Sequence, residues 1–213
     1  MSRIEHGIIA DAVSLEEIYT MLKNRDEAAE ALWDARSELG RKYRKLCRDI
    51  TSPIPETQGF YLWGFYGVNR NWKNVYLGKS ANNEKYNIRF RICEELIDER
   101  RMFERIHYSH SELMEHFKTD RKVYGDAKET GITRDLAKAG CSHIVWVSVP
   151  GLPADHVLGV EADLIEAMNP SANRNRPPPV PARQADSDAV FQAIRKQINM
   201  CRTSLYYSTG IEW

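Results

Sequence analysis

Gly59-Phe60-Tyr61-Leu62-Trp63-Gly64-Phe65-Tyr66 is followed by Gly67-Val68-Asn69-Arg70-Asn71-Trp72-Lys73-Asn74, and then by Val75-Tyr76-Leu77-Gly78-Lys79-Ser80. Two apolar, aromatic runs flank a polar turn segment containing Gly and Asn. This pattern predicts a β-hairpin over 58–80. Each run carries a tyrosine close to a glycine, so pairing the runs sets two phenols side by side.

Upstream of the hairpin, residues 13–50 read as helical. Ser14-Leu15-Glu16-Glu17 has the form of a capping box, with Leu15, Ile18, Tyr19 and Leu22 at helical spacing. A second helical run covers about 26–50 and ends basic, with Arg41, Lys42, Arg44, Lys45 and Arg48. That charge either suits the helix's own dipole or offers Lys42 and Arg44 to a phosphate backbone. Pro53 and Pro55 end the run, which places a linker near 51–57.

Downstream, Ile88, Ile92, Leu96, Phe103 and Ile106 predict a helix from Asn87 to about His116, with Ile88, Arg91, Ile92 and Glu95 on one face. Residues 118–139 are mixed and highly charged, with a short helix expected near 133–139. His143-Ile144-Val145-Trp146-Val147-Ser148-Val149 predicts a strand, and Asp155 to Met168 an amphipathic helix stopped by Asn169-Pro170. A Pro/Asn/Arg loop over 169–183 leads to a last helix over about 187–201. This order predicts an α+β fold. A small three-stranded sheet, the hairpin plus one later strand, is flanked by helices, with added N- and C-terminal helices. The expected divisions are a helical region over 1–55, a central domain over 56–183 with a helical insertion at about 94–140, and a C-terminal helix and tail over 184–213.

Composition bounds the function classes. The chain has 213 residues, 42% hydrophobic and 28% charged, as expected for one globular domain with additions or two small ones. No apolar run nears the roughly 18 residues of a membrane span. The start, Met1-Ser2-Arg3-Ile4-Glu5-His6, lacks a signal-peptide pattern, so a cytoplasmic location is expected. Cys47, Cys93, Cys141 and Cys201 form no Cys-x-x-Cys pair and are expected to be reduced. Thirty basic and 30 acidic residues give zero net charge, which counts against a general nucleic-acid binder unless charge is segregated by face. His107 and His110 have tight spacing but no second close pair, so a zinc site is not expected. No phosphate-cradling glycine loop or serine-nucleophile motif is present.

Gly59-Phe60-Tyr61 with Tyr76-Leu77-Gly78 resembles the paired signature of the GIY-YIG nucleases, with Phe and Leu standing for Ile. Val160-Glu161-Ala162-Asp163-Leu164-Ile165 is similar to the family's Glu-bearing helix, and Asn169-Pro170-Ser171-Ala172-Asn173 to its closing Pro-x-x-Asn. The resemblance covers about 58–178. One departure is clear. Four residues after the helical Arg, where many members carry His or Tyr, stands Glu95 if the Arg is Arg91, or Cys93 if it is Arg89. Arg91 fits the apolar-Arg-apolar pattern better, and Arg89 competes for the place.

The resemblance implies a Mg²⁺-dependent DNA endonuclease, with Mn²⁺ able to substitute, leaving 5′-phosphate and 3′-hydroxyl ends. Its catalytic residues would be Tyr61, Tyr76, Arg91, Glu161 and Asn173, with Lys79 beside them. Glu161 would hold the metal. Lys79 or Arg91 would lower a phenol pKa from about 10 so that Tyr61 can take the proton of the attacking water. Tyr76 would orient that water or a phosphate oxygen. Arg91 would neutralise phosphate charge, and Asn173 would bond a phosphate oxygen or brace the site. Arg89, Arg174 and Arg176 are further candidate DNA contacts. Within the family a stand-alone type II restriction endonuclease acting as a homodimer fits best. The alternatives are a phage or mobile-element nuclease, a nuclease for single strands or branched DNA, and a catalytically silent DNA-binding protein.

Overall fold

The computed structural model describes residues 7–23, 35–66, 71–97, 141–171, 173 and 184–208. In chain order the elements are β1 (Ile9–Ser14), α1 (Glu16–Lys23), α2 (Glu38–Thr51), β2 (Gly59–Tyr66), β3 (Trp72–Ser80), α3 (Ile88–Ile97), β4 (His143–Ser148), α4 (Ala154–Met168) and α5 (Gln184–Ser208). The α+β class holds, but the sheet has four strands and not three. It is antiparallel throughout, in the order β1-β4-β2-β3. The unexpected strand is β1, which pairs along β4 from Ile9 with Ser148 to Ser14 with His143. Residues 13 and 14, expected to begin a helix, therefore end a strand. The Ser14 hydroxyl then accepts the Glu16 N–H at the start of α1.

Two of the helices have local reasons for where they start or stop. In α2, Ser37 is the N-cap and its hydroxyl accepts the Gly40 N–H at 2.8 Å. The helix expected from about 26 thus has its described part at Glu38–Thr51. In α4, Asn169 closes the helix in the left-handed conformation at φ 44°, which Asn tolerates better than most residues. From residue 98 to 140, and so for most of the expected insertion, the 133–139 helix, His107 and His110, the expectations lie outside the described residues.

Alternation of side chains across the sheet builds two cores. Tyr61, Trp63, Tyr76, Ile144 and Trp146 face α1, α2 and α3, meeting Ile18, Tyr43, Ile88 and Ile92. Phe60, Leu62, Leu77, Val145 and Val147 face α4 and α5, meeting Val157, Val160, Leu164, Val190 and Ile194. Burying each such side chain stabilises the fold by about 1.5–3 kcal/mol. The result is three layers, helix, sheet and helix, with β3 at one edge. Among the described residues no helix is long and apolar enough to cross a membrane, and all four cysteines are free.

Candidate active site

The site grows outward from β3. Its register sets Tyr61 opposite Gly78 and Trp63 opposite Tyr76. A Cβ at residue 78 would lie 2.5 Å from the Tyr61 oxygen, so the phenol occupies the space a side chain there would need. The Tyr61 and Tyr76 rings sit with centroids 6.4 Å apart, tilted by 59°. The hairpin thus brings Tyr61 and Tyr76 together, and Gly78 makes room for one of them.

Tyr61 is completely buried. Its hydroxyl donates to Glu95 Oε1 at 2.8 Å, and the Trp63 indole N–H donates to Glu95 Oε2 at 3.1 Å. Glu95 lies one helical turn beyond Arg91 on α3 and is itself only 2% exposed. The Arg91 charge stands close to Tyr61, and the side chain is exposed at the surface. Burial first, and then the Glu95 charge, push the Tyr61 pKa well above the usual phenol range; Arg91 opposes this without overcoming it. The nearby Tyr61 oxygen and Glu95 carboxylate both favour the charged Arg91 guanidinium.

This corrects the expected role of Tyr61. A buried phenol with a raised pKa, already donating to a carboxylate, does not collect a proton from an attacking water. Lys79 gives it no help either, because residues 76 and 79 are an odd number apart on β3 and face opposite sides of the sheet. Lys79 turns toward α4, where its ammonium meets Glu161 Oε2 at 2.7 Å with side chains 24% and 13% exposed. One pocket lined by both phenols and Glu161 is therefore not what forms. The tyrosines and Arg91 lie on one face of β3, and the Lys79–Glu161 pair lies on the other.

Asn173 bridges the rim between these faces. Its side-chain carbonyl accepts the Leu77 N–H at 2.8 Å, and its amide donates to the Leu77 carbonyl at 2.8 Å. The amide pairs with the edge strand as a further strand's backbone would. Ser171 N–H also donates to the Asn74 carbonyl, and the Asn74 amide donates to the Met168 carbonyl at 2.7 Å. The left-handed turn at Asn169 is what lays this segment along β3. Of the two roles open to Asn173, bracing is the one its geometry displays.

The remaining candidates separate. Arg89 donates to Glu56 Oε1 at 2.7 Å and to the Ile54 carbonyl, tying α3 to the linker before β2. Arg91, not Arg89, lies against the tyrosines. Lys42 pairs with Glu38 one turn away on α2 at 2.6 Å, both well exposed, and Arg44 is half-buried on the same helix. Arg174 and Arg176 lie outside the described residues. The residue named from sequence without a role is Glu95. Its signal was a carboxylate on the face shared by Ile88, Arg91 and Ile92, which marks a charge that must find partners inside.

Among the described residues no group of three or more His, Cys, Asp or Glu gathers as a metal site. Glu161 offers a single hard carboxylate, partly open to solvent. That suits Mg²⁺, which is commonly held by one or two carboxylates plus substrate phosphates while keeping several waters. Compared with family models, curated proteins and solved structures, the chain matches none.

Proposed function

We propose that this protein is a metal-dependent endonuclease that hydrolyses DNA phosphodiesters along the outer edge of β3. One observation carries the reading. Six residues singled out by sequence, spread between positions 61 and 173, form one contact set around this strand. Tyr76 and Lys79 belong to it, Tyr61 packs on it, Arg91 meets Tyr61, Glu161 meets Lys79 and Asn173 pairs with Leu77.

In this reading Arg91 and Lys79 meet the scissile phosphate from the two sides of the strand and offset its developing charge. Tyr76, at 9% exposure, orients the water or a phosphate oxygen from the Arg91 side. Asn173 holds the rim in shape. Glu161 would hold Mg²⁺, or Mn²⁺ in its place, supplying polarisation of the phosphoryl oxygen and acidification of water. Water oxygen joins phosphorus and the bond to the 3′-oxygen breaks, leaving a 5′-phosphate and a 3′-hydroxyl. A type II restriction enzyme is the favoured form. With one site per chain it would cut both strands as a homodimer, or by two successive nicks.

A second reading, a DNA-binding protein without catalysis, is favoured by the Lys79 ammonium already seated on Glu161. Incubation with supercoiled plasmid and with single-stranded DNA, in Mg²⁺ or EDTA, separates the two. Cleavage in Mg²⁺ that disappears with EDTA and in Glu161→Ala supports the endonuclease. Discrete bands favour restriction, and cutting of single strands alone favours the structure-specific alternative. Binding without cleavage overturns the endonuclease reading, and undiminished cutting by Glu161→Ala removes the metal assignment.

A further inference from the structure

We infer that Glu95 is a positioning residue, which aims the Arg91 guanidinium through the Tyr61 hydroxyl. The contacts form one directed chain. The Tyr61 O–H donates to Glu95 Oε1, the Trp63 indole N–H donates to Glu95 Oε2, and the Arg91 charge stands close to the Tyr61 oxygen. Both donors point toward the carboxylate. Tyr61 spends its one proton on Glu95, so its lone pairs are left to face the Arg91 charge.

Burial makes this arrangement stiff. Glu95 is 2% exposed, and Tyr61 and Trp63 are fully enclosed. A carboxylate there is costly unless both oxygens are bonded and a counter-charge stands near. The two donors meet the first need, and Arg91, one turn back on α3, meets the second. Arg91 reaches the surface from this anchored base, so its aim is set from inside the core rather than by solvent. Tyr61 is thereby a neutral link, consistent with the burial and the Glu95 charge that both disfavour its ionised form.

The catalytic consequence rests on the endonuclease reading, whereas the contact chain does not, and the test has one arm for each. The first arm follows the Trp63 indole and Arg91 Nε–H signals by ¹⁵N NMR, assigned with Trp63→Phe and Arg91→Lys. Glu95→Gln keeps the shape and removes the charge. Both signals should shift in Glu95→Gln, and Arg91 should broaden. In Tyr61→Phe the Arg91 signal should move while the Trp63 signal stays. An Arg91 signal unmoved by Glu95→Gln overturns the inference, whether or not the protein cuts DNA.

The second arm measures cleavage. Glu95→Gln should lower kcat roughly tenfold to a hundredfold with little change in KM, as misaligned groups do. In a Tyr61→Phe background the same change should add nothing. Effects that multiply in the double variant would overturn action through Tyr61. If wild type cuts no DNA, the endonuclease reading falls, and the NMR arm alone decides the contact chain. If Glu95→Gln fails to fold, Tyr61→Phe carries the first arm: an unmoved Arg91 signal there sinks the chain.

Discussion

Tyr61 and Gly78 interlock across β2 and β3, the phenol oxygen lying 2.5 Å from where a Cβ on residue 78 would stand. Gly78→Ala must therefore displace a buried ring that is also bonded to Glu95. Overpacking of this kind costs about 1–3 kcal/mol, and a strained hydrogen bond adds to it. Urea unfolding should show a lowered midpoint, and the Tyr61→Phe, Gly78→Ala pair should be less than additive. A Gly78→Ala protein as stable as wild type would sink the interlock.

Asn173 satisfies both outward-facing backbone groups of Leu77. Asn173→Ala should cost about 1–2 kcal/mol, one modest hydrogen bond on each side. Asn173→Asp keeps the acceptor but sets a carboxylate oxygen against the Leu77 carbonyl, so it should be worse than Ala above the carboxylate pKa. Hydrogen exchange at the Leu77 amide reports this directly. Unchanged protection in Asn173→Ala would mean that the rim does not depend on the amide.

Lys79 competes for the carboxylate that would bind metal. Lys79→Ala should tighten Mn²⁺ binding on the order of fivefold, the equivalent of about 1 kcal/mol for a partly exposed pair. It should also slow cleavage, because a cation beside the phosphate is lost. Mn²⁺ titration followed by electron paramagnetic resonance, alongside plasmid cutting, separates the effects. Weaker Mn²⁺ binding in Lys79→Ala would argue against Glu161 as the metal ligand.

Alkaline pH should destabilise the fold. Burial pushes the Cys47 thiol from 9.0 up to about 12. Tyr61 is raised by burial and Glu95, and Tyr66 chiefly by burial. For each, the native state keeps a proton that the unfolded chain releases. The contribution is whole below the unfolded pKa and is lost as pH rises toward the folded one. The slope is about 1.4 kcal/mol per pH unit for each group between its two values. Urea midpoints should thus fall between about pH 9 and about pH 12, and fall less steeply in Cys47→Ala. Equal slopes in wild type and Cys47→Ala would remove the thiol from this account.

Much of the fold was legible because its signals are local. The aromatic runs around Gly67 to Asn71, the apolar run at 143–149 and the Asn169-Pro170 stop each declare an element within a few residues. Strand β1 declares nothing comparable. It is a six-residue edge strand, Ile-Ala-Asp-Ala-Val-Ser, with two alanines of poor strand propensity. It becomes a strand by pairing with β4, whose register partners lie more than a hundred residues later.

The site divides in the same way. The sequence showed two tyrosines and a lysine on one hairpin, and its resemblance to a nuclease signature implied that an arginine, a carboxylate and an amide from later in the chain would join them. Only the tertiary structure decided which side of the strand each occupies and which are closed to water. Strand parity sends Tyr76 and Lys79 apart, and packing of α3 against the sheet seals Tyr61 onto Glu95. A side chain's chemistry is local, whereas its burial and charge partners depend on what folds over it. That is why a phenol expected to work as a base is held instead as a neutral link.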